Sequence, residues 1–342
     1  MRRIIFILSA LILVGVPVFA QDQIKPLVLF VVDEQLGTAS PLDTEAEGVS
    51  TLAEIFTNLG ADVLPIKLDQ ALPSTTQVVV IARPLEKLSV DALARIWTYL
   101  EQGHNLLLAI DPPGYNGVNA EGANNDLPKL LNNDYGIGLQ DNFLVERWFT
   151  QDSLGIGLEG SLLNTYAAPI LHPLIQPLHD YDLPITTWGN RTIRVEPFGV
   201  NSIALPLLFT DSAYGETNTR SLTPGDNAPL LELNLGSDAV GQLNVAALAR
   251  NIKSGSYVAM LGDSQMLLDG FGLLSDPTTG LPQHVGNRLL IERLAALLMD
   301  IPLDEWPGLP QGFTWLAVDG DAVDWNSALP AVADDEDTAA EG

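Results

Sequence analysis

The 342-residue sequence contains no cysteine. That absence excludes disulfides, a thiol nucleophile and any thiolate-bound metal, because each needs the sulfur itself. Oxidising compartments permit disulfides without demanding them, and a chain of this length buries enough core to be stable without staples. Basic residues are scarce: 16 lysines and arginines stand against 43 aspartates and glutamates, a formal charge of −27. Such a field repels phosphate backbones, which argues against nucleic-acid binding and for a solvated acidic surface. The four histidines are His104, His172, His179 and His284. His172 and His179 lie near Asp180 and Asp182 in sequence, but His172 precedes a proline in a turn-like stretch and reads as ordinary surface. Asp319, Asp321 and Asp324 lack the spacing and glycine of a calcium-binding helical hand. No metal or other cofactor is expected.

Long apolar runs are also missing, with one exception. Met1-Arg2-Arg3 is a positive head, Ile4 to Val18 is apolar apart from Ser9, Gly15 and Pro17, and Val18-Phe19-Ala20 offers small residues at the cleavage-determining positions. This reads as a secretory signal peptide over residues 1–20, with an uncleaved anchor as the alternative. The expectation is a secreted or extracytoplasmic protein, in the periplasm or at the cell surface. It would touch membrane only through partners or an uncleaved N-terminal segment.

Apolar residues make up 46% of the chain and aromatics 7%, the profile of a globular protein. The stretch from Val78 to Asp111 reads as strand, loop, helix, strand. Val78 to Ala82 is a β-branched run of the kind buried on both faces of a parallel sheet. Ser89 offers a helix cap, and Val90, Leu93, Ile96, Trp97 and Leu100 then recur at three- and four-residue spacing. Gly103 suits a left-handed C-terminal cap, and Leu106 to Ile110 is a second strand stopped by Asp111 and two prolines. These parts make a right-handed βαβ unit. Upstream, Leu27 to Val32 is a strand, Val49 to Leu59 an amphipathic helix closed by Gly60, and Ala61 to Ile66 a strand whose Pro65 argues for a sheet edge. The alternation predicts an α/β fold with an open, mainly parallel sheet flanked by helices.

Further along, Leu127 to Leu131 begins a short helix that runs into Tyr135-Gly136-Ile137. From about 141 to 235 the pattern breaks into short strand-like pieces (Phe143 to Val145, Thr192 to Val195, Ile203 to Phe209), which reads as a β-rich insertion or appended layer. Tyr257 to Leu261 is a late strand, and Leu289, Leu290, Leu294, Leu297 and Leu298 line one face of a helix. Beyond Asp300 the chain holds ten acidic residues and no basic one, and Ala331 to Gly342 reads as disordered. A hairpin is expected from Phe313 to Trp325, around an Asp-Gly turn. The domain reading is a signal peptide over 1–20, an α/β domain over 24–302 and an acidic, proline-containing tail over 303–342.

Polar residues gather after the predicted strands: Asp33 and Glu34, Arg83, Asp111, and Gly262-Asp263-Ser264. In open α/β sheets that carboxyl edge is where ligands bind, so these seven are the candidate ligand- or partner-binding residues. The plainer reading is that Asp and Ser start loops and cap helices there. Gly262-Asp263-Ser264 taken alone looks like the nucleophile block of GDS-type esterases, but it lies near the C-terminus, and His284 follows Asp276 at the wrong spacing for their Asp-x-x-His motif. A serine without a base is not activated. The Gly-x-Ser-x-Gly elbow is absent, and Gly155, Gly157 and Gly160 imitate a dinucleotide fingerprint without a strand before them. No catalytic residue is assigned.

Several segments, in order, carry a resemblance. They are the opening strand with Asp33-Glu34 and the Gly37 loop, the Val78 to Pro112 unit, and Leu130 to Phe143 (LLNNDYGIGLQDNF). His172-Pro173-Leu174-Ile175, Leu207 to Thr217 (LLFTDSAYGET) and Val258 to Gly270 follow. Together they resemble the extracytoplasmic domain of GldG-type auxiliary proteins of ABC transport systems, first known from gliding motility. The resemblance implies a glutamine-amidotransferase-like, or flavodoxin-like, α/β fold without its catalytic residues. It further implies a binding or scaffolding part that accompanies an ATPase and a permease. Family members commonly carry membrane helices at both ends, whereas this chain ends in an acidic tail. The resulting expectation is a non-enzymatic extracytoplasmic binding or scaffold protein, an auxiliary of an ABC transporter complex or another envelope protein. The alternative is a secreted GDS-type serine hydrolase acting on surface esters or polysaccharide through Asp263, Ser264 and His284.

Overall fold

The computed structural model describes residues 25–115, 117–118, 126–146, 162–210, 213–217 and 233–309. The segment read as a signal peptide and the hairpin expected over 313–325 lie outside them. Fourteen strands are described: β1 (Leu27–Val31), β2 (Asp62–Ile66), β3 (Thr76–Ala82), β4 (Asn105–Ala109), β5 (Ile137–Leu139), β6 (Phe143–Glu146), β7 (Leu163–Ala167), β8 (Ile185–Thr187), β9 (Ile193–Val195), β10 (Ser202–Thr210), β11 (Ala213–Glu216), β12 (Ala239–Val240), β13 (Asn244–Asn251) and β14 (Tyr257–Leu261). The helices are α1 (Ser50–Asn58), α2 (Val90–Glu101), α3 (Asp126–Tyr135), α4 (Gln176–Asp180) and α5 (Val285–Leu298).

Nine strands form one mixed sheet in the order β2-β1-β3-β4-β14-β13-β10-β7-β8. The β2-β1-β3-β4-β14 part is parallel throughout. Its inner strands alternate between two cores. Val28 and Phe30, Val78 and Val80, Leu107, and Ala259 and Leu261 face α1 and α5. Leu29 and Val31, Val79 and Ile81, Leu106 and Leu108, and Val258 and Met260 face α2 and α3. Strands buried on both sides explain the unbroken apolar runs. Each fully buried Val, Leu or Ile among them contributes roughly 1.5–3 kcal/mol. Edge strand β2 is largely exposed and holds Pro65, where no ladder bond is lost. Ser89 caps α2 by accepting the Ala92 N–H at 3.2 Å. Just past the helix, Gly103 turns the chain at φ +91°, and a Cβ there would meet the Ser254 carbonyl at 2.8 Å.

The expected mainly parallel sheet is corrected by the other half. β14–β13, β13–β10, β10–β7 and β7–β8 all pair antiparallel. From β7 to β10 the described connections hold no long crossover helix, and the five residues between β13 and β14 allow nothing but an antiparallel return. Of the β-rich stretch, β7, β8 and β10 extend the main sheet. The rest forms two small sheets, β12-β11-β6 and β5-β9.

Candidate functional site

Asp111 leaves the sheet just past β4, and Gly262-Asp263-Ser264 leave it just past β14. The two strands are parallel neighbours, so their carboxyl ends lie side by side. Both aspartates and Ser264 are fully buried. Ser264 donates its N–H to Asp111 Oδ1 at 2.5 Å and its hydroxyl to Asp111 Oδ2 at 2.7 Å. Asp263 accepts the Trp188 N–H on one oxygen at 2.7 Å and the Gln265 N–H on the other at 2.8 Å. Burial pushes both carboxyls above the usual carboxylate range. The two Ser264 hydrogen bonds and the charges of Arg83 and Arg191 hold Asp111 back. Asp263 feels the Asp111 charge and has only backbone N–H groups to offset it, so it is the more strongly raised.

Arg191 completes the arrangement. It is buried, yet it donates Nε–H to the Gln140 carbonyl at 2.7 Å, Nη1–H to the Asp111 carbonyl at 3.3 Å and Nη2–H to Asp141 at 2.7 Å. Burial lowers its pKa to about 10, so it stays charged at neutral pH. Its own N–H binds the Gly262 carbonyl at 3.0 Å. Position 262 has to be glycine because a Cβ there would sit 2.3 Å from the Arg191 carbonyl oxygen. Beside Asp141, an open groove of about 480 Å³ is lined by Lys129, Asn132, Gln140 and Arg194, among others.

The second half of the predicted site lies at β1 and β3. Asp33 accepts the Gln35 N–H at 2.8 Å, forming a local turn, and Glu34 is exposed. Arg83 adopts a left-handed backbone, φ 55°, and its Nη1 donates to Glu47 at 2.7 Å. Here the strand order changes direction, the place where open sheets part to admit ligands. The loops instead knit together. Leu85 and Glu86 both donate to the Leu36 carbonyl, and Ala39 donates to that of Ala82. The seven candidates thus split into a turn that reaches solvent, Asp33 and Glu34, a largely buried Arg83 that holds Glu47, and an interior quartet, Asp111, Gly262, Asp263 and Ser264.

Sequence reasoning missed Arg191, Trp188 and Asp269. Asp269 accepts from the Ser50 N–H and hydroxyl and from the Thr51 N–H, at 2.7–2.8 Å, and so caps α1 from far along the chain. The one available signal for Arg191 was a cation beside Gly189-Asn190 in an otherwise acidic chain. His284 lies edge-on to the Trp188 ring, with centroids 5.1 Å apart, and burial lowers its pKa. The Ser264 hydroxyl is committed to Asp111, a carboxylate, and not to a histidine ring. His172 Nδ1 accepts the Leu174 N–H, and His179 Nε2 pairs with the Ala168 carbonyl, which gives both a structural role. Among the described residues no three His, Asp or Glu side chains gather as metal ligands, and no helix is long and apolar enough to cross a membrane.

Comparison with curated proteins finds no match. Among solved structures, the N-terminal domain of mmIFT52 aligns at 12% identity over 80% of this chain and 96% of that one, with a TM-score of 0.51. A β-galactosidase from Rahnella sp. R3 aligns at 12% identity over 85% of this chain and 34% of its own, with a TM-score of 0.44. A ThuA-like protein from Bacteroides uniformis aligns at 11% identity over 79% and 89% of the two chains, with a TM-score of 0.39. The likeness to the mmIFT52 domain is one of fold. Family comparison is more specific: residues 25–200, more than half of the sequence, match the family described as ABC-type uncharacterized transport system, and the chain belongs to that family.

Proposed function

We propose that the protein is a non-enzymatic, extracytoplasmic binding or scaffold component of an ABC-type transport system. In this reading its fold is a glutamine-amidotransferase-like one that has lost the catalytic residues. The carrying observation is that the polar groups at the carboxyl edge bond to one another: Ser264 is turned onto Asp111, and Arg191 closes the gap between Asp111 and Asp141. A hydroxyl kept from solvent meets no substrate, and the group it bonds is a buried carboxyl and not a histidine ring. The family match supports the transport role. Partner contact falls to Asp33, Glu34 and the exposed Glu47 that Arg83 holds from beneath, an acidic rim suited to a basic loop of a permease or another envelope protein.

Crosslinking in intact cells, followed by pull-down from envelope extracts in several detergents, tests this reading. Recovery of an ATPase and a permease is expected. Recovery of no transport or surface component would overturn it. The hydrolase alternative draws on His284 packing against Trp188, whose N–H binds Asp263. Turnover of an ester or polysaccharide by purified protein, lost in Ser264→Ala, would establish that alternative instead.

A further inference from the structure

We propose that the amino edge of the sheet, opposite the site above, rests on a lipid surface through a two-tipped apolar wedge. The first tip is a small hairpin. Phe198 bridges Ile203 in antiparallel fashion, Gly199 donates to the Ser202 carbonyl at 3.0 Å, and Val200 stands at the turn. The second tip is the connection between β13 and β14, closed by Gly255 N–H to the Asn251 carbonyl at 2.8 Å, with Ile252 upon it. A bond from the Ile252 N–H to the Asn201 carbonyl at 2.7 Å ties the tips into one unit. Their side chains are bare: Val200 is 97% exposed, Phe198 85%, Ile252 63% and Ile203 43%. Isolated exposed apolar residues need no explanation, but four clustered on two joined turns do.

The place where the chain enters the fold points to lipid as the occupant. β1, β4 and β14 are mutually aligned parallel strands, so Leu27, Asn105 and Tyr257 all begin at this edge. The apolar run Ile4 to Val18 ends nine residues before Leu27, a tether that reaches about 30 Å at most. β13 lies four strand positions from β1 in the sheet order, about 19 Å at the usual spacing. The placement takes the uncleaved-anchor alternative for residues 1–20, in which lipid that receives the apolar run lies within reach of both tips. Charge selects the kind of lipid. Lys253 at the second tip shares its surroundings with Glu101 and Asp134, and the chain carries −27 overall. The surface that fits is zwitterionic, such as phosphatidylcholine, because an anionic one would repel the domain. This placement does not depend on the transporter reading, and it would turn the Asp33–Glu34 rim away from the bilayer.

The absence of cysteine makes the test clean. Full-length Val200→Cys and, as the opposite-edge control, Glu34→Cys are each labelled with an environment-sensitive fluorophore and mixed with phosphatidylcholine vesicles carrying acyl-chain quenchers. Interfacial apolar groups seat roughly 5–10 Å deep, so the label at 200 should lose about half its emission or more while that at 34 loses none. Adding Phe198→Ser and Ile252→Ser to the labelled Val200→Cys chain should remove the quenching, with circular dichroism confirming the fold. A label at 200 that stays in water, or quenching unaffected by the serines, overturns the proposal. A label at 200 that stays wet on lipid and is shielded only by an added protein partner also overturns it.

Discussion

Replacing Ser264 with alanine deletes one atom from the centre of the buried cluster, and its consequences are calculable. The lost hydroxyl donates to Asp111 Oδ2 at 2.7 Å, and neither side chain touches solvent. A hydrogen bond to a buried charged group is worth about 1.5–3 kcal/mol. Removing it should lower stability by about 2–3 kcal/mol at pH 8, which corresponds to roughly 4–10 °C in melting temperature. The effect should depend on pH. Burial raises the Asp111 carboxyl above its ordinary value of 3.8, so the folded chain holds that proton more tightly than the unfolded chain does. Stability from this group is therefore full below 3.8 and is lost as pH rises through the folded value. Both Ser264 hydrogen bonds limit that rise. Without the hydroxyl, the folded value climbs further and the loss deepens. The gap between wild type and variant should thus widen from about 1 kcal/mol well below pH 3.8, where the acid is neutral in both states, to its full size once pH has passed the folded value. Urea melts of both proteins at pH 4, 6 and 8 read the gap directly, and the difference cancels the charge repulsion common to both. A gap below about 0.5 kcal/mol at pH 8, or one that narrows with pH, would refute the buried donor–carboxylate account.

Two other substitutions probe how distant segments are joined. Gly262→Ala places a methyl 2.3 Å from the Arg191 carbonyl oxygen. It should cost about 1–3 kcal/mol and raise amide exchange at Asn190 and Arg191, whereas a melt within 0.5 kcal/mol of wild type would deny the close approach. Asp269→Ala strips the α1 terminus of a carboxylate that accepts three bonds. A cost of about 1–2 kcal/mol is expected, with faster exchange over 50–53 and partial rescue by asparagine; unchanged exchange there would exclude Asp269 as the cap.

Much of the parallel half could be read residue by residue. The run Val78 to Ala82, the Ser89 cap, the three- and four-residue spacing through Leu100 and the glycine at 103 each report on a few consecutive residues. In the fold they became β3, the capped α2 and the left-handed exit. Pro65 likewise announced an edge, because a missing N–H is a local fact about one strand. The antiparallel half was less legible. Short strands such as β7, β8 and β10 show that they are strands, but period-two alternation carries no information about which neighbour they choose or in which direction. Hence the nine-stranded mixed sheet came only with the structure.

The candidate site divides along the same line. That Asp33, Glu34, Arg83, Asp111 and Asp263 follow strands was determined by sequence alone, since strand ends are marked by where apolar runs stop. Whether they face solvent or one another was not. Ser264 meets Asp111 from 153 residues away and Arg191 meets it from 80, so their bonding depends on the sheet order that makes β4 and β14 neighbours. Local spacing dictates which elements form, because their geometry repeats over three or four residues. The bonding of buried polar groups is decided by chain closure over 80 to 153 residues, and only the assembled tertiary structure turned a row of strand-end polar groups into an interior lock.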